Sequence, residues 1–535
     1  MDSRPNLSVT GFMGVGKSSV GAAVADRLGH PFVDMDAEIE SRAGKSIADI
    51  FAQDGEGAFR DLEAAICFEV SSRGGLVVAT GGGTLVDPEN RHRMLQSGTV
   101  VCLTCEPEAL ACRLDGTEDR PLLASAKDPR TTIMELLESR REAYADLPWH
   151  VDTTSRSIAD VVEDVVRLAS VRTLSVRHGD GTYPIQIGPG LLAHLGDGVR
   201  AAGLAARSRI VIVSNPIVDS LYGAAVAAAI RDAGYEIGSC IIPDGERFKT
   251  LETVRDIYGS LLQQGLDRGD ALIGLGGGVT GDIAGFAAAT FLRGIRFIQV
   301  PTTLLSMVDA SVGGKTGVNL PDGKNLVGAF KRPDLVLIDP HVLGTLPDEE
   351  LRSGVAEVIK HGVLGDPTLF AEFEERPLNR ASWGTDAAVD RIVRALGVKI
   401  AVVEQDPLET GRRAVLNLGH TVGHALETLS GYALRHGEAV SIGLVAAARL
   451  GHKLGLATPS LAETIERILR RNGLPTVCPA HRVEEIEAAM GCDKKRTAGA
   501  LRWVLPRAVG DVTVTDKVPS ELVREVLGEM GARRR

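Results

Sequence analysis

The chain has 535 residues, 44% of them hydrophobic, and a formal net charge of −11 at pH 7. At roughly 150 residues per domain, that length predicts three or four domains, each with enough apolar content for a core. The acidic balance argues against a nucleic-acid or anionic-membrane surface and leaves the basic residues for local sites on anionic small molecules.

The N-terminal MDSRPN runs straight into an apolar strand at Leu7–Thr10. No secretory leader is expected, no apolar run reaches the roughly 18 residues of a membrane span, and a cytoplasmic location follows. GFMGVGKSS comes next, then a helix over Ser19–Leu28. This is G-x-x-x-x-G-K-S between a strand and a helix. Gly11, Gly14 and Gly16 let backbone amides curl around phosphates, with Ser19 beside them. Lys17 reaches the outer phosphates, and the Ser18 hydroxyl can ligate Mg²⁺. In HPFVDMDAEIE, a strand at Pro31–Val33 delivers Asp34 and Asp36 at its C-terminal edge, where α/β proteins bind ligands. One carboxylate would serve Mg²⁺ and one a substrate hydroxyl, although Asp36 could equally cap a helix. Arg60, in GEGAFRDLE, is an anion binder or a surface charge. The buried strand LVVAT ends in Gly81, Gly82 and Gly83, which admit a ligand close to the backbone. Cys102 and Cys105 form C-x-x-C, but on a strand they point to opposite faces. Seven scattered cysteines fit a reducing compartment better than a disulfide framework. Arg113 precedes DGTEDRPLL, a polar loop with Arg120 that reads as a mobile lid, and LLESRREAY adds Arg140.

Over residues 1 to about 168, these motifs resemble shikimate kinase. The P-loop, D-M-D, G-E-x-x-F-R, triple glycine, R-P-L-L and L-x-x-R-x-x-x-Y stand in family order. The resemblance implies a P-loop α/β kinase domain, a parallel sheet with helices on both faces, that uses Mg²⁺-ATP to phosphorylate the 3-hydroxyl of shikimate. It implies that Asp36, Arg60, Gly82 and Arg140 hold shikimate and that Asp34 acts near Mg²⁺. Catalytic Lys17 and Arg120 would face the transferring phosphoryl group, and Arg113 would lie against the adenine. A guanidinium fork suits the carboxylate of such a substrate. REAY, Arg141–Tyr144, departs from the family's usual proline, with little effect expected.

Ser157–Ser170 reads as a closing amphipathic helix. VRTLSVRHGDGTYPIQIG then switches to strand alternation around a turn at Gly179–Gly181, placing a domain boundary near Ser170. Domains are expected at 1–170, 171–332 and 333–535. RIVIVSNPIVDSLYG is a parallel-type strand and helix with Asn215 at the junction. PDGERFK puts Glu246 and Lys249 after a turn. DALIGLGGGVTGDIAGF is a strand, a loop with Gly274, Gly276, Gly277 and Gly278, and a helix carrying Gly281-Asp282. It supports a nucleotide pyrophosphate at a helix N-terminus, or is a tight packing turn. The next block carries Arg293, Thr302, Thr303, Asp309, Lys315, Lys324 and Asn325. Glycines beside both lysines predict loops in which backbone and ammonium hold an anion; solvated lysines are the bland alternative.

Beyond Pro333, helical periodicity dominates. AEVIKHG places Glu357 and Lys360 one turn apart. Lys399, Arg413 and Asn417 lead into LNLGHTVGHALETLSGYALRHGEA. His420 and His424 leave one helix face, and His436 starts a further helix. A single helical His is more often a surface or core residue. Three imidazoles and a carboxylate, however, make a first shell for zinc, which in catalytic sites takes three protein ligands. Spacing does not say which three. Lys494 and Lys495 precede a hairpin at LRWVLPRAVG.

Residues 171–535 resemble 3-dehydroquinate synthase along their whole length, through PDGERFK, GGGVTGD, the PTTLL and SVGGKT blocks, GKN, AEVIKHG, GHT-x-GHA and HGEA. This implies a Rossmann-like α/β NAD-binding domain followed by an all-α metal-binding domain. It implies Glu357, His420 and His436 as ligands of zinc or cobalt. His424, Lys315, Lys360 and Lys399 would do chemistry, with Asp309, Lys324, Asn325, Arg413 and Asn417 around the substrate and Arg293 reaching a phosphate across a homodimer. Glu246, Lys249, Gly277, Gly278, Asp282, Thr302 and Thr303 would contact NAD. Asn215 stands where the family usually has Asp. The implied chemistry is oxidation, loss of phosphate, reduction and aldol closure of 3-deoxy-D-arabino-heptulosonate 7-phosphate, with NAD⁺ regenerated each turnover. A fused enzyme of aromatic biosynthesis is expected. Another sugar-phosphate cyclase or a polyol dehydrogenase fused to a small-molecule kinase is the alternative.

Overall fold

Asn6–Gly11 (β1) is buried at every position, as a strand with neighbours on both sides and both faces covered must be. It pairs in parallel with Val77–Ala79 (β3) and Gly98–Thr104 (β4). Phe32–Asp34 (β2) and Trp149–Asp152 (β5) complete a parallel sheet of order β2–β3–β1–β4–β5. Met35, Ile39, Ile50, Ile66 and Met94 pack with strand residues Val78, Val100 and Cys102 in one core. Cys102 is buried and Cys105 lies beyond the strand, and both are free thiols. The computed structural model describes residues 4–114, 128–178, 181–377, 379–407, 409, 411–496 and 501–533.

Contacts divide the chain into two compact units. The first comprises Met1–Val171 and His194–Gly203, the second Arg172–Ala193 and Leu204–Arg535. Residues 194–203, which the sequence reading assigns to the second domain, therefore belong with the first unit. The helix Leu195–Ala201 brings Asp197 to β5, where His150 Nδ1 is 3.0 Å from Asp197 Oδ1 and the His150 amide donates to Oδ2. Arg200 Nη1 donates to the same carboxylate at 2.9 Å, and the His194 ring meets Trp149 edge-on. Burial opposes ionisation of Asp197, but hydrogen bonds to His150 and His194 and the Arg200 charge outweigh it, so its carboxyl sits below the usual range.

In the second unit, Arg172–His178 (β6) and Gly181–Ile187 (β7) are antiparallel. Arg209–Ser214 (β8), Glu236–Ile241 (β9), Ala271–Gly276 (β10), Arg296–Pro301 (β11) and Leu335–Ile338 (β14) add parallel strands, giving the order β6–β7–β14–β11–β10–β8–β9. The expected turn at Gly179–Gly181 falls partly outside the described residues. Two differences from the sequence reading concern strands. β14 lies beyond Pro333 yet sits inside the sheet, so the helical region opens at Asp348; a four-residue apolar run is too short to show its period. Lys315 and Lys324-Asn325 are not in loops but on an antiparallel hairpin, Lys315–Leu320 (β12) and Gly323–Phe330 (β13). Glycine there serves close pairing, since a Cβ on Gly317 would sit 2.6 Å from Val327 O.

The C-terminal part is mainly helical, with long helices at Asp348–Gly365, Asp386–Gln405 and His436–Lys453. It is not all-α. Trp503–Ala508 (β15) and Asp511–Thr515 (β16) form the hairpin foreseen after Lys495. Among the described residues, no helix is long and apolar enough to cross a membrane.

Candidate active sites

In the first unit, β1 turns through the glycine loop into the helix Lys17–Leu28, whose N-cap, Gly16, is left-handed at φ +97°. Ser18 and Ser19 lie in its first turn with Gly14 in the preceding loop, and Lys17 Nζ folds back to donate to Phe12 O at 3.1 Å. A glycine loop that opens a helix N-terminus is an arrangement suited to anions. β2 ends at Asp34, which caps the helix Met35–Ala43 by accepting from the Asp36 and Ala37 amides. The capping role considered for Asp36 thus falls to Asp34, and Asp36 lies in the first turn. A Cβ on Gly81 would meet Asp36 Oδ1 at 2.8 Å, and one on Gly83 would meet Arg60 Nη1 at 2.7 Å. Arg140 Nη1 and Tyr144 Oη both donate to Gly82 O, at 2.9 and 2.6 Å. The triple-glycine turn therefore gathers Asp36, Arg60, Gly82 and Arg140. A cavity of 670 Å³ opens beside Arg60, Gly83 and Arg140.

Glu63 also belongs there and was missed. Its buried carboxylate accepts from Arg60 Nη1 at 2.7 Å and from Thr84 Oγ1 at 2.6 Å. The available signal was a carboxylate on the apolar stripe of Phe59, Ile66 and Val70. Arg113 donates to Thr153 and Thr154 just past β5. Arg120 lies outside the described residues.

In the second unit, β10 passes through Gly277 directly into the helix Gly278–Thr290, and Thr302 and Thr303 follow β11 alongside. The Thr302 amide donates to Gly276 O at 2.9 Å, and a Cβ on Gly277 would touch Thr303 at 3.2 Å. Lys249 Nζ joins Asp282 Oδ2 at 2.5 Å and Asn325 Oδ1 at 2.6 Å. Asn215 Nδ2 donates to Asp244 at 2.8 Å, so an Asp at 215 would oppose a carboxylate.

The third cluster depends on helices packed at backbone contact. A Cβ on Gly443 would sit 1.8 Å from Gly419 O, and one on Gly437 would sit 2.0 Å from Ser353 O. This closeness brings the helix His420–Leu429 and the start of His436–Lys453 onto the buried Glu357 of Asp348–Gly365. Glu357 Oε1 lies 3.7 Å from His420 Nε2 and 3.4 Å from His436 Nε2. His420 Nδ1 contacts Leu418 O at 3.1 Å, which leaves Nε2 to face the carboxylate. Burial drives His420 well below its ordinary pKa, so it is neutral. Burial opposes ionisation of Glu357, but Lys360 Nζ, 2.5 Å away, and the imidazoles outweigh it. Glu357 Oε1, the oxygen that faces the imidazoles, has no hydrogen bond of good geometry. A buried, ionised carboxylate with Lys360 at one oxygen and two imidazole Nε2 atoms facing the other fits a divalent cation. Ligand atoms of Glu357, His420 and His436 lie within 4.8 Å of one another; His424, Glu427 and His436 form a second such group. His424 is exposed, its ring 5.1 Å from that of His420.

Around this centre, Lys360 Nζ donates to Leu416 O at 3.0 Å. Lys399 Nζ donates to Asp309 Oδ1 at 2.7 Å and to its carbonyl. Burial lowers the Lys399 pKa despite Asp309. Arg413 is tied to Pro407 O and Gly313 O, and Lys315 pairs with Glu409. Lys324 Nζ lies 4.2 Å over the Tyr432 ring and 3.6 Å from Glu427. The side chains of Arg293 and Asn417 make no hydrogen bond or ion pair with the rest of the site among the described residues. Two further groups were missed. Glu427 is buried, 3.4 Å from His436 Nδ1. His361 is fully buried with neither ring nitrogen bonded, 3.9 Å from Asp309, and burial pushes its pKa down to about 3.

Family models match in the same order as these sites. The shikimate kinase model covers residues 13–170, the 3-dehydroquinate synthase N-terminal model 239–353, and its C-terminal model 354–496. A 3-dehydroquinate synthase of Synechocystis sp. is 48% identical over 360 residues, 66% of this chain and 99% of the relative. That of Nostoc punctiforme is 46% identical over 361 residues, 67% and 99% of the two chains. In structure, the chain is similar to a 2-epi-5-epi-valiolone synthase from Streptomyces hygroscopicus subsp. jinggangensis, solved with NAD⁺ and Zn²⁺. The TM-score is 0.61 at 30% identity, covering 66% of this chain and 98% of that one.

Proposed function

Because the chain belongs to the 3-dehydroquinate synthase family and carries a shikimate kinase domain ahead of it, we propose that its two units catalyse two separate steps of the shikimate pathway. The first unit phosphorylates the 3-hydroxyl of shikimate from ATP. The second converts 3-deoxy-D-arabino-heptulosonate 7-phosphate into 3-dehydroquinate and phosphate.

In the first unit, Arg60 and Arg140 grip the shikimate carboxylate, each already oriented by Glu63 or Gly82 O. Asp36 takes a ring hydroxyl. Gly14, Gly16, Ser19 and Lys17 cradle the phosphates, Ser18 and Asp34 serve Mg²⁺, Arg113 lies against the adenine, and Arg120 neutralises the transferring group. Positioning and charge compensation are the main requirements of phosphoryl transfer.

In the second unit, Glu357, His420 and His436 hold a Zn²⁺ or Co²⁺ ion, which when bound polarises a substrate hydroxyl. NAD⁺, held by Glu246, Lys249, Asp282, Gly277, Gly278, Thr302 and Thr303, supplies reversible hydride acceptance. Lys315, Lys324, Asn325, Lys360, Arg413 and Asn417 bind the sugar phosphate. Lys399 and Asp309 orient its hydroxyls, and His424 stands at the open side to exchange a proton with solvent. Arg293 sits in a turn with Leu292 at φ +49° and itself at φ +71°, backbone held off its preferred regions. We assign it to the phosphate of a second copy in a homodimer.

The observation that carries the synthase reading is the convergence of Glu357, His420 and His436, with both imidazole Nε2 atoms facing one buried carboxylate oxygen. The test is phosphate release from the heptulosonate phosphate with catalytic NAD⁺ and no net NADH. Net NADH would instead identify a dehydrogenase. ADP formation that requires shikimate tests the first unit.

A further inference from the structure

Asn319, half-buried on β12, bonds to three parts of the synthase site. Its amide donates to Lys249 O at 2.7 Å. Its Nδ2 donates to Glu246 Oε1 at 2.8 Å. Its Oδ1 accepts from the Asn325 amide at 2.8 Å. The β12–β13 register shifts between Val318 and Leu320, so an irregularity sits at Asn319 itself, and such irregularities re-aim a side chain.

The partners of Asn319 are also bonded to one another. Asn325 stands at φ +52°, in the left-handed region, where a residue with a side chain needs support from its surroundings. Its Oδ1 accepts from Lys249 Nζ, which also reaches Asp282. Asn319, Asn325 and Lys249 thus form a closed ring, with Glu246 and Asp282 attached to it. Glu246, Lys249 and Asp282 lie on the dinucleotide side and Asn325 on the sugar-phosphate side.

We propose that Asn319 is a positioning residue that couples the dinucleotide side of the synthase site to its sugar-phosphate side. This rests on the reading above, in which Glu246, Lys249 and Asp282 hold NAD and Asn325 holds substrate. Asn319 acts through these residues. It sets the carboxylate of Glu246 and keeps Asn325 in its unusual backbone conformation.

Two variants of the full-length, zinc-loaded protein separate the arms of this ring. Asn319→Ala removes both side-chain bonds. NAD⁺ Kd by direct titration and the KM for heptulosonate phosphate at saturating NAD⁺ should each rise about tenfold, the scale of losing a hydrogen bond to a charged or strained partner. Asn319→Asp keeps the acceptor for Asn325 but opposes Glu246 with a second carboxylate. Its NAD⁺ Kd should rise while its KM stays within about twofold of wild type. A fall in melting temperature with wild-type Kd and KM in both variants would make Asn319 merely structural and overturn the proposal. Equal rises in Kd and KM for Asn319→Asp would also overturn it. Wild-type protein that binds no NAD⁺ would instead remove the reading beneath the proposal.

Discussion

Glu357 is charged and wholly enclosed, and such a group tolerates the loss of its neighbours poorly. His420→Ala should cut zinc content, read by elemental mass spectrometry after dialysis, from about one ion per chain to a small fraction of that. Phosphate release should stop while shikimate-dependent ADP formation continues. Lys17→Ala should do the opposite, lowering ADP formation about 10²–10³-fold, the usual range for removing a charge-stabilising donor. Glu63→Ala should leave Arg60 held only by the exposed Glu56 among the described residues, and raise the KM for shikimate about tenfold with less change in kcat. An unchanged KM would show that Glu63 only supports its helix. The residues legible in the sequence were those whose chemistry fixes both type and spacing, such as Gly16-Lys17-Ser18 or His420 with His424. Glu63, His361 and Glu427 were not legible. Each is one polar residue on an apolar helix stripe, and its partners become visible only once distant segments pack.

Helices bring Glu357, His420 and His436 together only because they touch at backbone. Gly443→Ala must push its helix away from Gly419, at a cost of about 1–3 kcal/mol for overpacking. The expected result is a lower melting temperature together with weaker zinc retention against a chelator, since His420 and His436 sit on the two helices being separated. A second element-scale prediction concerns acid. Asp366 caps the helix Pro367–Glu375, and hydrogen bonds from Arg394 hold its pKa down to about 2. A depressed carboxyl stabilises the fold above its unfolded pKa of about 4 and loses that contribution as pH falls toward 2. Asp366→Asn should therefore melt below wild type at pH 7, and the gap should close between about pH 4 and pH 2. The strand–glycine–helix units at residues 11–17 and 276–278 could be read from apolar period and glycine punctuation. The β12–β13 hairpin could not, because its glycines mimic loop signals while serving close strand pairing. β14 was too short to announce itself.

Each candidate site draws its residues from one compact unit, so the two activities should be separable by treatment as well as by mutation. Dialysis against dipicolinate should abolish phosphate release, and restoring Mg²⁺ alone should bring back only shikimate phosphorylation; zinc should restore the remainder. Recovery of both activities with Mg²⁺ alone would refute the assigned transition-metal centre. The order of motifs made the two-enzyme composition readable, but the path of the chain between the halves was not. Residues 194–203 return to the first unit after β6 and β7 have been laid down in the second. Gene dissection must respect that detour. A fragment ending at Val171 would lack the acid beneath His150 and the ring beside Trp149, so it should be cut faster by protease than one extended to Gly203. Expressed apart at the obvious seam, the two halves would leave ten residues on the far side of the cut from the unit they pack in.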